Sequence, residues 1–200
     1  MTRIADAFAW PFRAGAATWI VGAILVLLLP IAFVPLLGYA VAATRSAQPP
    51  RWALGWRLLT DGFWMALAVA LTLLPFAIAL LVLAQVLSGI ALVIAFFVLA
   101  LPWGLVALLL LPHATAVFAT TGNPRDFFDF AASLRGVRRD FATWNVVVAA
   151  IVTGWAIALA CVGLLCVGIV PGIFYAILVS AHATSALTRV QAPDPDRSAR

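Results

Sequence analysis

The sequence contains no lysine and no glutamate, so its nineteen charged side chains are twelve arginines and seven aspartates. Charged residues make up 10% of the chain, against about 25% in a typical soluble domain. Hydrophobic residues make up 66%, and a soluble domain of 200 residues could not cover so much hydrocarbon with polar surface. This shortage of charge excludes an ordinary soluble globular protein.

Sequence signals of chemistry are also scarce. The only cysteines, Cys161 and Cys166, have a spacing that suits neither a disulfide within one helix nor a metal site. The chain has no Ser/His/Asp set, no glycine-rich phosphate loop and no paired carboxylates, and catalysis within a membrane needs polar groups. We therefore expect a protein that is not an enzyme and that binds neither a metal nor another cofactor.

The charges are confined to short clusters. They fall in four groups, Arg3–Arg13, Arg45–Asp61, Arg125–Asp140 and Arg189–Arg200. The stretches between them carry none, namely residues 14–44, 62–124 and 141–188. An ionised side chain at the centre of a bilayer costs about 3 kcal/mol or more, so these uncharged stretches indicate membrane. The net charge of +5 is better explained by anionic lipid head groups than by nucleic acid, because the arginines stand beside apolar spans.

The two longer stretches each predict a pair of membrane helices, since one crossing takes about 20 residues. We expect a turn at Ser88-Gly89 in the first stretch and around Gly163 to Gly172 in the second. Residues 14–44 are too few for two full crossings, and Pro30 and Pro35 interrupt them. We interpret this stretch as a short or re-entrant hairpin, the alternative being one kinked span.

Arginine is enriched on the cytoplasmic side of membranes, and none of the inferred turns carries a charge. All four clusters are therefore expected to face the cytoplasm, together with both termini, in the inner (cytoplasmic) membrane of the cell. The fold class is an all-α integral membrane protein with about six membrane helices. It forms a single domain over residues 1–190, followed by a disordered tail over residues 191–200.

Each hairpin follows a segment with one apolar face. Residues Asp126–Phe141 carry such a stripe, with Asn123 as the helix cap and Pro124 at the first helical position. Arg51–Phe63 repeats the design, with Trp52 and Trp56 on the apolar face. We expect both to be amphipathic helices in the head-group layer.

The second helices of the three hairpins share a short sequence motif, named here the repeat phrase, in which an alanine stands five residues after a proline. The three prolines are Pro35, Pro102 and Pro171, and His113 and His182 each stand eleven residues after theirs. These offsets predict a parallel repeat of amphipathic helix plus hairpin. The units are about 3–45, 50–121 and 123–189.

Candidate functional residues are few. His113 and His182 could meet at equal depth and bind a ligand or pass a proton, or each could simply bond to a backbone carbonyl or water near the interface. Tyr39 and Tyr175 of the repeat phrase are further ligand or proton-relay candidates. Asp61 and Asp140 are interpreted as interfacial caps. The arginines expected at lipid head groups are Arg51, Arg57, Arg125, Arg135, Arg138 and Arg139.

Two functions fit these features. The first is a non-enzymatic protein that organises lipid or a partner membrane protein, which could be a second copy of the chain. The second is a bundle that carries a small solute or a lipid, with His113 and His182 near its inner mouth. A water-filled cavity that contains both imidazoles would favour the second.

Three parts of the sequence together resemble the prokaryotic membrane-protein family known as domain of unknown function 4013. They run from Ala9-Trp10-Pro11-Phe12 through Pro30 and Leu37-Gly38-Tyr39 to Arg45, from Trp56 to Asp61-Gly62, and from Tyr175 to His182. The most specific segments are the Gly38-Tyr39-Ala40 run followed by Arg45, and the segment from Leu58 to Asp61-Gly62 that opens the next span. The resemblance covers about residues 5–190, although the chain has Ala183-Thr184 where the family often has a Gly-Gln pair. It implies a multi-pass membrane protein and no particular activity.

Overall fold

The computed structural model describes residues 4–53, 55–161 and 168–191. Within these ranges the chain is helical and contains no strand, which confirms the all-helical fold class. The elements are α1 (Ile4–Ala9), a 3₁₀ turn (Trp10–Arg13), α2 (Ala16–Leu27), α3 (Leu29–Arg45), α4 (Trp56–Ala84), α5 (Ile90–Thr121), a second 3₁₀ turn (Pro124–Phe127), α6 (Phe130–Arg139), α7 (Phe141–Ala160) and α8 (Ile169–Gln191).

Four of the described helices are long and apolar enough to cross a membrane, namely α4, α5, α7 and α8. The segments Ala5–Arg13 and Ala16–Leu27 meet at a bend of 98° and would make a fifth if they form one broken span. With 17 residues, α3 is shorter. Several membrane helices are thus confirmed, whereas the number six stays a prediction.

Residues 14–44 form two short helices that separate at Leu28, ahead of both prolines. Pro30 lies in the first turn of α3, where its missing N–H costs no helical hydrogen bond. Pro35 lies inside the same helix. The hairpin interpretation requires this division into two helices. That the two helices enter the membrane as a hairpin stays a prediction.

The turn predicted at Ser88-Gly89 is confirmed, because α4 ends at Ala84 and α5 begins at Ile90. Gly89 has a φ of 57°, a conformation that glycine adopts without steric cost. The second predicted turn lies partly outside the described residues, at positions 162–167, and so does the tail beyond residue 191.

The segment Arg51–Phe63 does not form a separate surface helix. Trp56 begins α4, which continues without interruption through Phe63 to Ala84. Trp52 precedes the helix and stacks on Tyr39 with 3.9 Å between ring centroids, so the two tryptophans do not share a face. The pattern was misleading because Trp52 packs into the protein while Trp56 is 80% exposed.

A separate amphipathic helix does exist as α6, but it starts later than the sequence predicts. Asn123 caps only the second 3₁₀ turn, where its side chain accepts from the N–H of Arg125 at 3.2 Å. Asp129 caps α6 by accepting from the N–H of Ala132 at 2.8 Å. Asp140 is confirmed as a cap, since its carboxylate accepts from the N–H of Thr143 at the start of α7.

Helices α3 and α8 lie at the centre of the bundle. One apolar cluster joins α2, α3 and α8 around Tyr39 and Phe174, which are 1% and 0% exposed. A second cluster joins α5, α6, α7 and α8, and a third joins α3, α4 and α5 around Phe118. By contrast, the outer halves of α4 and α5 are largely exposed, which suits helices that face lipid.

Helices α3 and α4 cross in close contact through two glycines. A Cβ atom on Gly38 would stand 2.0 Å from the carbonyl oxygen of Leu58, and one on Gly62 would stand 2.0 Å from that of Val34. Small residues of this kind let helix backbones approach closely in membranes, where packing rather than the hydrophobic effect holds helices together.

Gly62→Ala is expected to lower the free energy of unfolding by about 1–3 kcal/mol, because the methyl group has no room against the α3 backbone. The matched control is Gly104→Ala within α5, where a Cβ meets nothing within 4 Å and alanine favours the helix by up to about 1 kcal/mol. Thermal unfolding in detergent, followed by tryptophan fluorescence, measures both. Equal stability of the two variants would contradict the close crossing.

Candidate functional site

Arg45, the last residue of α3, joins three helices. Its Nη1 atom donates to the Asp61 carboxylate on α4, and its Nε atom donates to the Ala119 carbonyl on α5 at 2.7 Å. The guanidinium also lies 5.7 Å from the centre of the Phe118 ring, within the range of a cation–π contact. The side chains of Arg45 and Asp61 are only 20% and 13% exposed, so the pair is shielded from water.

Asp61 is therefore not an interfacial cap. It lies in the second turn of α4, where it accepts from Arg45, while the exposed Arg57 approaches it only to 4.0 Å. An isolated carboxylate at this depth would be costly, and the guanidinium compensates for its burial. The sequence reveals the charges of Arg45 and Asp61 but not that they meet.

The two segments that are most specific to the resemblance meet at this place. Gly38 and Arg45 belong to the first segment, and Asp61 and Gly62 belong to the second. Gly38 packs against Gly62, and Arg45 binds Asp61. These two segments thus form one helix crossing and the ion pair at its end.

The candidate histidines are held against different neighbours. The ring of His182 on α8 stacks on Trp10, with 4.7 Å between centroids and 19° between planes. The ring of His113 on α5 packs on α6, where a Cβ on Gly136 would stand 2.0 Å from its Cε1 atom. Both side chains are 8% exposed. Nothing in the sequence indicated that Trp10 is a neighbour of His182 or that Gly136 is a neighbour of His113.

The candidate tyrosines form hydrogen bonds to the backbone. Tyr39 donates to the Pro50 carbonyl at 2.8 Å, and Tyr175 donates to the Phe8 carbonyl at 3.2 Å. Each bond ties a membrane helix to one of the segments that carry charges. This geometry supports a structural role for both hydroxyl groups.

A cavity of about 380 Å³ lies where α6 packs on α5 and α8. His113 and Gly136 contribute to its wall, together with the side chains of Arg135, Arg139 and Asp140. The Asp140 carboxylate accepts the capping N–H of Thr143, and the two arginines are exposed. The cavity therefore combines two exposed cations with a buried imidazole.

The other predicted head-group arginines also lie on the surface. Arg51, Arg57, Arg125 and Arg138 are exposed, but none of them lines this cavity. Of the described residues, no three from the set His, Cys, Asp and Glu stand close enough to hold a metal ion. Arg135, Arg139 and His113, together with Asp140, are the polar residues that line the α6 cavity.

Four to five of the described helices are long and apolar enough to cross a membrane, and short charged clusters separate the apolar stretches of the sequence, a pattern typical of a multi-pass helical membrane protein. The sequence profile of the family described as Protein of unknown function (DUF4013) matches residues 21–179. The chain belongs to this family, which confirms the resemblance seen in the sequence. No curated protein and no solved structure matches it.

Arg45→Gln is expected to lower the free energy of unfolding by about 1–3 kcal/mol, because it leaves the shielded Asp61 carboxylate without its main partner. Arg57→Gln is the matched control, since its side chain is 81% exposed and an exposed pair contributes little. Thermal unfolding in detergent compares the two variants. If both variants unfold at the same temperature as the wild type, the ion pair does not stabilise the bundle.

Proposed function

We propose that this protein is a non-catalytic membrane protein that organises anionic lipid through α6 and the arginines around it. The observation that supports the proposal is the cavity at α6, where Arg135 and Arg139 flank a buried imidazole.

Helix α6 has the features of a helix that lies in the head-group layer. Phe130 is 55% exposed and Leu134 is 38% exposed, while Val137 packs into the bundle. Arg135, Arg138 and Arg139 are also exposed. Phenyl and leucyl groups enter the acyl region at such a surface while guanidinium groups remain at the phosphates.

The arginines of α6 are available to a ligand. Within the described part of the chain, the ion pairs are those of Arg45 and Arg57 with Asp61, and none involves α6. Guanidinium groups bind phosphate through paired hydrogen bonds, and each basic residue near an anionic membrane contributes about 1 kcal/mol. A lipid phosphate is the anion that a cavity at this interface would meet most often.

The proposed topology places all charged clusters and both termini in the cytoplasm, with three units and six membrane helices. It rests on the arginine bias and on contacts that join different charged segments, such as the hydrogen bond that Trp10 donates to the carbonyl of Ala47. The short helices α2 and α3 form the first hairpin in this arrangement. The proposed location is the inner membrane of a prokaryotic cell.

Solute transport is the second candidate. It requires the imidazoles of His113 and His182 to lie on one path; His113 lines the α6 cavity, and His182 stacks on Trp10. The proposal that the protein is not an enzyme rests on the lack of polar groups in its spans.

A partner membrane protein is an alternative ligand of α6.

Replacing Arg135, Arg138 and Arg139 together with glutamine is expected to reduce the anionic lipid retained by the protein by about fivefold or more, since each charge contributes about 1 kcal/mol. The measurement is native mass spectrometry from nanodiscs that contain phosphatidylglycerol and phosphatidylcholine. Insertion should be unchanged, because no membrane helix is altered.

The matched control replaces Arg51, Arg57 and Arg125 with glutamine, which removes the same charge from other exposed positions. A specific site predicts that this control retains most of its phosphatidylglycerol. Equal loss from both variants would indicate general surface attraction and would overturn the α6 site. Unchanged lipid together with the loss of a co-purifying protein would favour the partner alternative.

A further inference from the structure

A second cavity, of about 270 Å³, lies inside the bundle between α3, α5 and α8, with α7 on its fourth side. On α5, Thr115 lines this cavity, whereas His113 lines the cavity at α6. The two cavities are therefore lined by different faces of the same helix. Nothing in the proposed function depends on the inner one.

The wall of the inner cavity is built from matching positions of the three second helices. Thr44, Leu111 and Ser180 each stand nine residues after the proline of their own repeat phrase, and all three line it. Thr115 and Thr184 also line it, thirteen residues after theirs. The cavity is thus located where the repeated helices face one another.

The chemistry of the wall is that of hydrocarbon. No charged side chain lines the cavity. The hydroxyl groups of Thr44 and Thr184 donate to carbonyls four residues earlier in their own helices, at 2.9 and 2.7 Å, and that of Thr115 lies 3.5 Å from the Met65 sulfur. Ser180 differs, because its buried Oγ atom has no hydrogen-bond partner in the described chain.

The cavity is elongated along the helices. Its wall extends from Leu37 to Thr44 on α3 and from Ile177 to Thr184 on α8, eight residues in each case or about 10 Å along the helix axis. Trp155 of α7 also lines it and is 40% exposed.

We propose that the inner cavity binds one acyl chain of a membrane lipid. An empty cavity forfeits dispersion contacts on every wall, and hydrocarbon is the filling that a bilayer supplies. The chain lies along the helices and passes Ser180, which lies midway along the α8 wall. A polar solute is disfavoured, since the other hydroxyl groups of the wall already donate elsewhere.

The test is photo-crosslinking in nanodiscs that contain phosphatidylcholine with a diazirine in the middle of one chain. This head group is zwitterionic, so the result does not depend on the arginines of α6. Peptide mapping should find adducts on wall residues of α5 and α8, including Thr115 and Thr184, as well as on the outer surface. Adducts confined to the outer surface would overturn the proposal.

Ala107→Phe is expected to lower the inner labelling by about fivefold or more, because the phenyl ring takes the volume that the chain needs. Its matched control is Ala91→Phe, the same substitution at an exposed position of the same helix. Inner labelling that is equal in the wild type and Ala107→Phe would contradict a chain in this cavity.

Discussion

The constraint on which the rest of the structure depends is the neutralisation of Asp61 by Arg45 at the edge of an apolar bundle. A carboxylate in this position needs a cation, and the guanidinium that reaches it also donates to the carbonyl of Ala119. One side chain therefore fixes the ends of α3, α4 and α5 relative to one another. The contact of Gly38 with Gly62 brings α3 and α4 close enough for this ion pair to form.

Several polar side chains form hydrogen bonds where the helix ends meet the connecting segments. Tyrosine and tryptophan donors bind backbone carbonyls of the connecting segments, as Tyr39 does with Pro50 and Trp10 with Ala47. These hydrogen bonds hold the connecting segments against the bundle. Helix α6 packs on His113, and its arginines are exposed. The halves of α4 and α5 next to their shared turn expose apolar side chains, a surface suited to lipid.

The parts of the fold that depend on local pattern could be predicted from the sequence. The length of the uncharged stretch 62–124 predicts α4 and α5 with their turn at Gly89, and a stripe of apolar residues predicts α6. Contacts between distant segments could not be predicted, because they depend on which helix faces pack together. Asp61 was thus misjudged as a cap, and the separate surroundings of His113 and His182 became visible only in the packed bundle.

Accessibility of engineered cysteines tests most directly that the charged segments share one side of a membrane. After Cys161 and Cys166 are replaced with alanine, single cysteines at Ser88 and Ala53 are treated with a membrane-impermeant maleimide in sealed inverted vesicles and in intact spheroplasts. The account predicts that Ala53→Cys reacts in the vesicles and Ser88→Cys in the spheroplasts. Reaction of both positions from the same side would contradict it.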